Sequence, residues 1–233
     1  MRDFLTGTGD TLIYYIILAS AALGSRILVK INDEVFRKIL HCILLGSLLV
    51  YVFCFDIWWH AVLSCLIFAA VVYPILHYFE HFSRYSETVT ERKKGELKNS
   101  LIVVFTMFAV VITVCWGLLG DKLLVLATVY AWGFGDAAAA LIGKRFGKHK
   151  IPGTKKSYEG SFSMFALSFL SVFVILMLRG GMAAYACALT AALVAAATAA
   201  TELYTPGGYD TISCPFCAMA IMLPLVHLFG GGI

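Results

Sequence analysis

Residues 135–161 read GDAAAALIGKRFGKHKIPGTKKSYEGS, a charged and glycine-rich run that lies between two long apolar segments. The first acidic residue of this run, Asp136, still lies within the apolar segment that precedes the charges. An ionised side chain near the hydrocarbon of a bilayer costs about 2.5 kcal/mol or more, and residues that remain there usually serve a function. The run therefore predicts a membrane protein and marks the place of its functional site.

The composition of the whole chain indicates the same class. Of 233 residues, 61% are hydrophobic and 14% are charged, with a mean hydropathy of +0.87. A soluble fold of this length cannot bury so much apolar surface. Segments close to the ~20 residues of a membrane crossing occur at 11–29, 36–55, 57–79, 99–118, 122–142, 161–179, 181–201 and 212–229. We predict an all-α polytopic bundle of about seven to eight transmembrane helices, forming a single integral-membrane catalytic domain over residues 1–233.

The distribution of basic residues indicates the orientation of the chain. Lysine and arginine concentrate after the first, third and fifth segments, and the positive-inside rule assigns such loops to the cytoplasm. These residues are Arg37 and Lys38, then Arg84, Arg92, Lys93, Lys94 and Lys98, then Lys144, Arg145, Lys148, Lys150, Lys155 and Lys156. We expect the active-site loops in the cytoplasm and both termini on the opposite side. We also expect the N-terminal segment to be retained, because it lacks a basic start and a small-residue cleavage site.

The net charge of +4 does not indicate nucleic-acid binding. The cations are spread over membrane-proximal loops and do not form one stripe on a soluble face. Anionic membrane lipids and phosphorylated ligands are the expected partners of such loops. No feature of the sequence indicates a particular oligomeric state.

Asp136 is the first candidate site residue. Gly133, Gly135 and four alanines flank it, so other groups can approach its carboxylate closely. A carboxylate in an apolar segment requires a cation, either a lysine of a neighbouring helix or a metal or ligand. Because the segment runs directly into six basic residues, we favour the metal or ligand.

Glycines and a proline shape the basic part of the run. Gly143 and Gly147 leave a smooth strip beside two cations, and residues 152–153 interrupt the helix before Lys155 and Lys156. The next helix then begins with a polar run, and free N–H groups and the helix dipole at such a start favour an anion such as phosphate. That polar run comprises Ser157, Glu159, Gly160 and Ser161. There is no GxxxxGK[ST] loop and no protein-kinase signature, so a nucleotide would be held by a different arrangement.

These elements resemble those of the membrane-embedded CTP-dependent lipid-alcohol kinases, which comprise dolichol kinase, phytol and farnesol kinases and the yeast-type diacylglycerol kinase. The central motif carries the resemblance through Gly135-Asp136, Ala139, Gly143, Gly147, Ile151-Pro152, Lys155-Lys156-Ser157 and Glu159-Gly160-Ser161. Shorter elements are also similar, in the same order: Arg37-Lys38 with His41, Gly95-Glu96-Leu97, and Glu202 with Asp210-Thr211 and Pro215. The chain departs from the pattern at Thr211, where asparagine is more usual, and at Asn99-Ser100, where Gly-Pro is common.

The resemblance implies a kinase that uses CTP and Mg²⁺ to phosphorylate the hydroxyl of a membrane lipid alcohol. It implies metal ligands at Asp136, Asp210 and Glu202, and nucleotide-binding residues at Arg37, Lys38, Gly143, Lys144, Gly147, Lys155, Lys156, Ser157, Gly160 and Ser161. It implies catalytic roles for Asp136, Lys155, Lys156, Glu159, His41 and Glu96, with His41 or Glu96 accepting the proton of the alcohol. By the helix count, all these elements fall on the cytoplasmic side, where one cavity is expected to gather them.

Two other functions agree with parts of this pattern. Phosphatidate cytidylyltransferases also use CTP and Mg²⁺ and have a similar Gly-Asp, Phe-Gly-Lys, Lys-Lys, Glu-Gly progression. They usually have a longer insert before the paired lysines and two acidic residues in an Asp-Arg-x-Asp-Ser motif, whereas residues 206–213 hold a single aspartate here. A small ion-coupled transporter would use Asp136 for an ion, but it predicts a repeated second half that the sequence lacks. The kinase interpretation is favoured.

Overall fold

The computed structural model describes residues 1–29, 31–81, 95–154, 156–205 and 208–230. Within these ranges the regular structure is helical, apart from one isolated bridge between Lys150 and Ser157. A π-helical segment, Ile112–Leu118, continues the fourth helix. The helices are α1 (Arg2–Leu28), α2 (Asp33–Phe53), α3 (Trp58–Phe79), α4 (Glu96–Val111), α5 (Lys122–Phe146), α6 (Tyr158–Arg179), α7 (Ala184–Tyr204) and α8 (Asp210–Leu228).

Eight helices of the described ranges are long and apolar enough to cross a membrane, when α4 and its π-helical continuation are counted as one. The prediction of an all-α polytopic membrane protein with about seven to eight helices is therefore confirmed. The cytoplasmic side of the loops and the opposite side of the termini stay predictions. Part of the charge pattern used for them lies outside the described residues, namely Arg84, Arg92, Lys93, Lys94 and Lys155.

Capping side chains explain why two helices of the second half begin where they do. The Ser157 hydroxyl accepts a hydrogen bond from the Gly160 N–H at 3.2 Å, so α6 begins before the predicted segment 161–179. At the start of α5, Asp121 Oδ1 accepts hydrogen bonds from backbone N–H groups of the first helical turn, including that of Leu123 at 2.9 Å. Such caps satisfy N–H groups that have no partner within the first helical turn. Hydropathy does not register such caps. It places the start of α6 too far inside the helix, whereas its predicted start of α5 at residue 122 agrees with the structure.

The described residues form two compact units, Met1–Gly117 and Leu118–Ile233, which are called the first and second unit. Aromatic rings fill the core of the first unit, where Tyr51, Phe105 and Phe108 are fully buried. The rings of Tyr51 and Phe105 meet edge to face with centroids 6.4 Å apart, a favourable aromatic geometry. The prediction of a single catalytic domain over residues 1–233 stays a prediction.

In the second unit, small residues let α5 and α6 approach closely. A Cβ atom at Gly135 would lie 3.0 Å from Cγ of Met164, which is tighter than ordinary van der Waals contact. The Ser168 hydroxyl donates a hydrogen bond to the Ala131 carbonyl on the facing helix. Small residues and hydroxyls are the usual means of close helix contact in membranes. This packing fixes both ends of the loop that joins α5 to α6. Four predicted site residues belong to that stretch of the sequence, namely Gly147, Lys155, Lys156 and Ser157.

Candidate functional site

Residues 147–157 join α5 to α6 as a short hairpin. The Ile151 N–H donates to the Lys156 carbonyl at 3.0 Å, and the Tyr158 N–H donates to the His149 carbonyl at 3.0 Å. These two bonds align the outgoing and returning segments as an antiparallel pair. The hairpin thus gives the loop an internal structure and a defined position at the start of α6.

The tip of the hairpin is a tight turn over residues 151–154. The Thr154 N–H donates to the Ile151 carbonyl at 3.1 Å, and Pro152 and Gly153 occupy the two central positions. The φ of +76° at Gly153 suits the third position of a type II turn, which glycine adopts without strain. The Thr154 hydroxyl then accepts from the Lys156 N–H at 3.2 Å. The Pro-Gly pair therefore builds the turn that brings the chain back to Lys156.

The glycines of the predicted nucleotide site lie where α5 and α6 touch. A Cβ at Gly143 would lie 3.4 Å from Cα of Gly160, and one at Gly160 would lie 3.1 Å from the Ala139 carbonyl oxygen. A Cβ at Gly147 would lie 2.5 Å from the hydroxyl oxygen of Ser157, which is itself buried. Four of the ten residues predicted to bind the nucleotide are thus close together within this contact. Their assignment to nucleotide binding stays a prediction.

Lys156 contacts the last turn of α7. Its Nζ lies 2.6 Å from Oε1 of Glu202 and also donates to the backbone carbonyl of Glu202. The Glu202 side chain is 10% exposed and that of Lys156 is 32% exposed. A carbonyl in the last turn of a helix has no helical partner, and the dipole there favours a cation. The structure therefore brings together two predicted site residues that are far apart in sequence.

The other two predicted metal ligands are also near Glu202. Asp136 on α5 and Asp210 at the start of α8 both lie within electrostatic reach of the Glu202 carboxylate. Trp132 Nε1 donates to Asp210 Oδ2 at 3.4 Å, and Trp132 lies one helical turn from Asp136 on α5. Three helices thus bring three carboxylates to one region of the second unit.

The chemistry of these donors fits a hard divalent cation such as Mg²⁺. Among the described residues, no group of three or more His, Cys, Asp or Glu side chains is arranged to hold a metal ion by itself. Mg²⁺ is usually bound through one or two carboxylates together with substrate phosphates and water, and it does not require a complete protein cage. The arrangement therefore fits a metal that binds together with a phosphate ligand.

Glu159, a predicted catalytic residue, contacts the hairpin. Its Oε1 accepts from the Lys148 N–H at 3.2 Å and from the His149 N–H at 3.1 Å. The same oxygen lies 2.7 Å from His149 Nδ1, and the His149 side chain is 79% exposed. These contacts connect the first turn of α6 to the outgoing segment of the hairpin. The catalytic assignment of Glu159 stays a prediction.

The predicted site residues of the first unit lie on α2 and at the start of α4. Arg37 Nη2 contacts Glu96 Oε1 at 2.8 Å, so the two elements that the sequence predicts as functional meet. His41 and Lys38 lie on α2 close to Arg37 in sequence, and both are partly buried. The first unit therefore brings its own predicted residues together, and their catalytic and nucleotide-binding roles stay predictions.

The remaining predicted residues have varied environments. Lys144 is exposed near the end of α5, and Lys155 lies outside the described residues. The Ser161 hydroxyl oxygen is buried and has no hydrogen-bond partner within the described part of the chain. Sequence reasoning missed Trp132, the donor to Asp210. Its spacing of one helical turn from Asp136 is the signal that could have identified it.

Sequence comparison with known proteins finds two relatives that match parts of the chain. A phytol kinase of Synechocystis sp. is 37% identical over 89 residues, which are 37% of this chain and 37% of that protein. A dolichol kinase of Schizosaccharomyces pombe is 53% identical over 53 residues, which are 23% of this chain and 10% of that protein. The predicted resemblance to lipid-alcohol kinases is confirmed.

The extent of these matches limits what they carry over to the whole chain. The chain spans little more than a third of the phytol kinase and a tenth of the dolichol kinase. No family model matches the sequence, and no solved structure matches it. Both relatives are named as kinases, and the second unit of this chain brings a lysine and three carboxylates together.

Proposed function

We propose that this chain is a kinase of the membrane that transfers the γ-phosphate of CTP to the hydroxyl of a lipid alcohol. The observation that carries the proposal is the similarity to a phytol kinase and a dolichol kinase. Phytol and dolichol are apolar alcohols, and the described ranges contain eight helices long and apolar enough to cross the membrane in which such a substrate dissolves. The active-site loops would lie on the cytoplasmic side, where CTP is present.

The carboxylates of the second unit would hold the divalent ion. Asp136, Glu202 and Asp210 offer the oxygen donors that Mg²⁺ prefers, and their mutual repulsion falls when a cation binds. When held by these carboxylates, the ion would supply positive charge close to the phosphates of the nucleotide. The indole of Trp132, which donates to Asp210, would keep that carboxylate oriented.

Lys156 would bind the phosphate oxygens of the nucleotide. Phosphoryl transfer depends mainly on positioning and on charge stabilisation, so a lysine held by a rigid turn suits the reaction. Lys155 and Lys144 are proposed to add positive charge to the same site. The glycine contact between α5 and α6 would keep the hairpin, and with it Lys156, at a fixed distance from Asp136.

The alcohol would reach the site from the bilayer. His41 and Glu96 are the proposed acceptors of its proton, as the resemblance implies. Glu96 Oε1 contacts Arg37 at 2.8 Å, which holds the carboxylate in a defined position. Arg37 and Lys38 are proposed to contact the nucleotide.

Product analysis tests the proposal. Purified full-length protein in detergent is incubated with Mg²⁺, CTP and, in separate reactions, prenols, phytol, diacylglycerol and phosphatidate, and phosphorus NMR follows the products. CDP that forms with an alcohol supports the kinase and identifies the acceptor class. Pyrophosphate that forms with phosphatidate would establish a cytidylyltransferase instead. If neither CDP nor pyrophosphate forms, the result contradicts an enzymatic role on these substrates. Parallel reactions with ATP and GTP test the choice of donor.

A further inference from the structure

We propose that Glu202 holds Lys156 before the nucleotide binds and then exchanges Lys156 for the metal ion, so that phosphate and metal bind together. The inference rests on the proposed function, and it gives Glu202 a second role beside that of a metal ligand. In the absence of metal, Glu202 is a competitor of the nucleotide for Lys156.

The contacts of Lys156 are the first observation. Its ammonium group has three N–H donors, and Glu202 receives them at two positions, the carboxylate oxygen at 2.6 Å and the backbone carbonyl. A phosphate that approaches this ammonium therefore meets a lysine whose charge is already balanced. The carbonyl contact can persist because a carbonyl is neutral. The carboxylate contact must weaken because a phosphate and a carboxylate on the same ammonium repel each other.

The charges around Glu202 are the second observation. Asp136 and Asp210 both act on the Glu202 carboxylate, so Lys156 offsets the repulsion within a group of three negative charges. When a phosphate draws Lys156 away, the three carboxylates and the phosphate require another cation. A divalent ion supplies that charge, and binding of phosphate and binding of metal then favour each other. The same exchange frees Glu202 Oε1, the atom that contacts Lys156.

The burial of the pair allows such an exchange. The Lys156 side chain is 32% exposed, so water and a phosphate can reach it, whereas the Glu202 side chain is only 10% exposed. The Lys156 side chain extends from a hairpin and can rotate, while Glu202 is fixed in the last turn of α7. Lys156 is therefore the partner that moves, and Glu202 remains in place beside Asp136 and Asp210.

The affinity for CTP in EDTA and in Mg²⁺ tests the inference. Isothermal titration calorimetry on the purified full-length protein in detergent gives both values. Glu202→Gln keeps the size of the side chain and removes its charge, so we expect CTP to bind about three- to tenfold more tightly in EDTA, with a smaller gain on adding Mg²⁺. A residue that served only as a metal ligand would leave the affinity in EDTA unchanged.

A charge-matched control separates the contact from general electrostatics. Asp210→Asn removes one negative charge from the same group, but Asp210 contacts Trp132 and not Lys156. We expect it to change the affinity in EDTA by less than about twofold, because no ammonium is released. In a Lys156→Gln background, Glu202→Gln should have no effect on CTP binding in EDTA.

Each outcome decides between the inference and the proposed function. Equal tightening in Asp210→Asn, no tightening in Glu202→Gln, or tightening that persists without Lys156 would overturn the exchange and leave the kinase intact. Absence of CTP binding to the wild-type protein in Mg²⁺ would instead overturn the proposed donor, and with it the exchange that rests on this donor. Thermal unfolding in the same detergent checks the fold of each variant. If Glu202→Gln does not fold, Glu202→Asp tests the same contact, because it withdraws the carboxylate from Lys156 and should also tighten CTP binding in EDTA.

Discussion

Charged side chains are arranged differently in the two units. In the first unit, Lys98 Nζ lies 2.7 Å from Glu80 Oε2, and the two side chains are only 11% and 3% exposed. In the second unit, Lys156 contacts Glu202, which also lies within electrostatic reach of two further carboxylates. The first arrangement is a paired charge enclosed by protein, and the second is a group of like charges with a partly exposed lysine. The enclosed pair is expected to stabilise the fold, whereas the second arrangement is expected to bind ligands.

The difference in exposure has a chemical consequence. An enclosed ion pair cannot exchange partners without unfolding its surroundings, because a single buried charge is costly. When one member of an ion pair is exposed, a ligand whose charge has the same sign can replace that member beside its partner. Substitutions in the second unit should therefore change activity more than stability, and substitutions of the enclosed pair should do the reverse.

Asp136→Asn is expected to have the largest effect. The substitution keeps the shape of the side chain but removes a charge that would hold the metal, so turnover should fall by about a thousandfold or more. Production of CDP with the best alcohol measures turnover, and thermal unfolding in detergent should change little. Asp10→Asn, at an exposed position of α1, is the matched control and should retain activity. Activity of Asp136→Asn above a tenth of wild type would remove Asp136 from the metal site.

Lys156→Ala should lower turnover by about a hundredfold, the effect of losing a charge that stabilises the transferring phosphate. Lys148→Ala is the control within the same hairpin, because the Lys148 side chain is exposed and only its backbone N–H contacts Glu159. That control should retain wild-type turnover within about twofold. Similar losses in both variants would show that the positive charge of the whole loop matters and that Lys156 has no specific role.

Lys155→Ala is expected to weaken CTP binding or turnover by more than about tenfold.

Glu80→Gln tests the enclosed pair of the first unit. Removing one partner leaves the Lys98 ammonium with less compensation for its lost hydration, although His77 Nδ1 at 2.8 Å still contacts it. We expect a loss of about 2 kcal/mol in the free energy of unfolding, below the ~3–5 kcal/mol of fully isolated buried charges. Turnover per folded molecule should be unchanged.

Denaturation in detergent mixtures measures the stability of Glu80→Gln, and CDP production measures its turnover. The double variant Glu80→Gln with Lys98→Gln is the control. It removes both charges and should recover part of the lost stability. A large fall in turnover with unchanged stability would place this pair in the active site and contradict the comparison of the two units.

Hydropathy was sufficient to predict the helices, because a membrane crossing is a local signal of about 20 residues. The sequence also indicated a charged connection between α5 and α6, although the first part of the polar run, residues 135–146, lies within α5. The contact of Lys156 with Glu202 could not be predicted, because it joins residues 46 apart through the packing of separate helices. The same holds for Trp132 and Asp210. The backbone N–H groups that donate to the Glu159 carboxylate could not be predicted either, since their positions depend on how the hairpin folds.

Glu159→Gln should have the smallest effect and addresses a role that the sequence leaves open. A glutamine oxygen can still accept from the Lys148 and His149 N–H groups, so the hairpin should keep its place at the start of α6. Because only the charged contact with the exposed His149 is lost, we expect turnover to fall by less than about fivefold. Glu159→Ala removes both backbone contacts and should lower turnover further, mainly by raising KM for CTP as Lys156 loses its fixed position. If Glu159 instead touches the reacting groups, Gln will be as damaging as Ala, and the loss will appear in kcat.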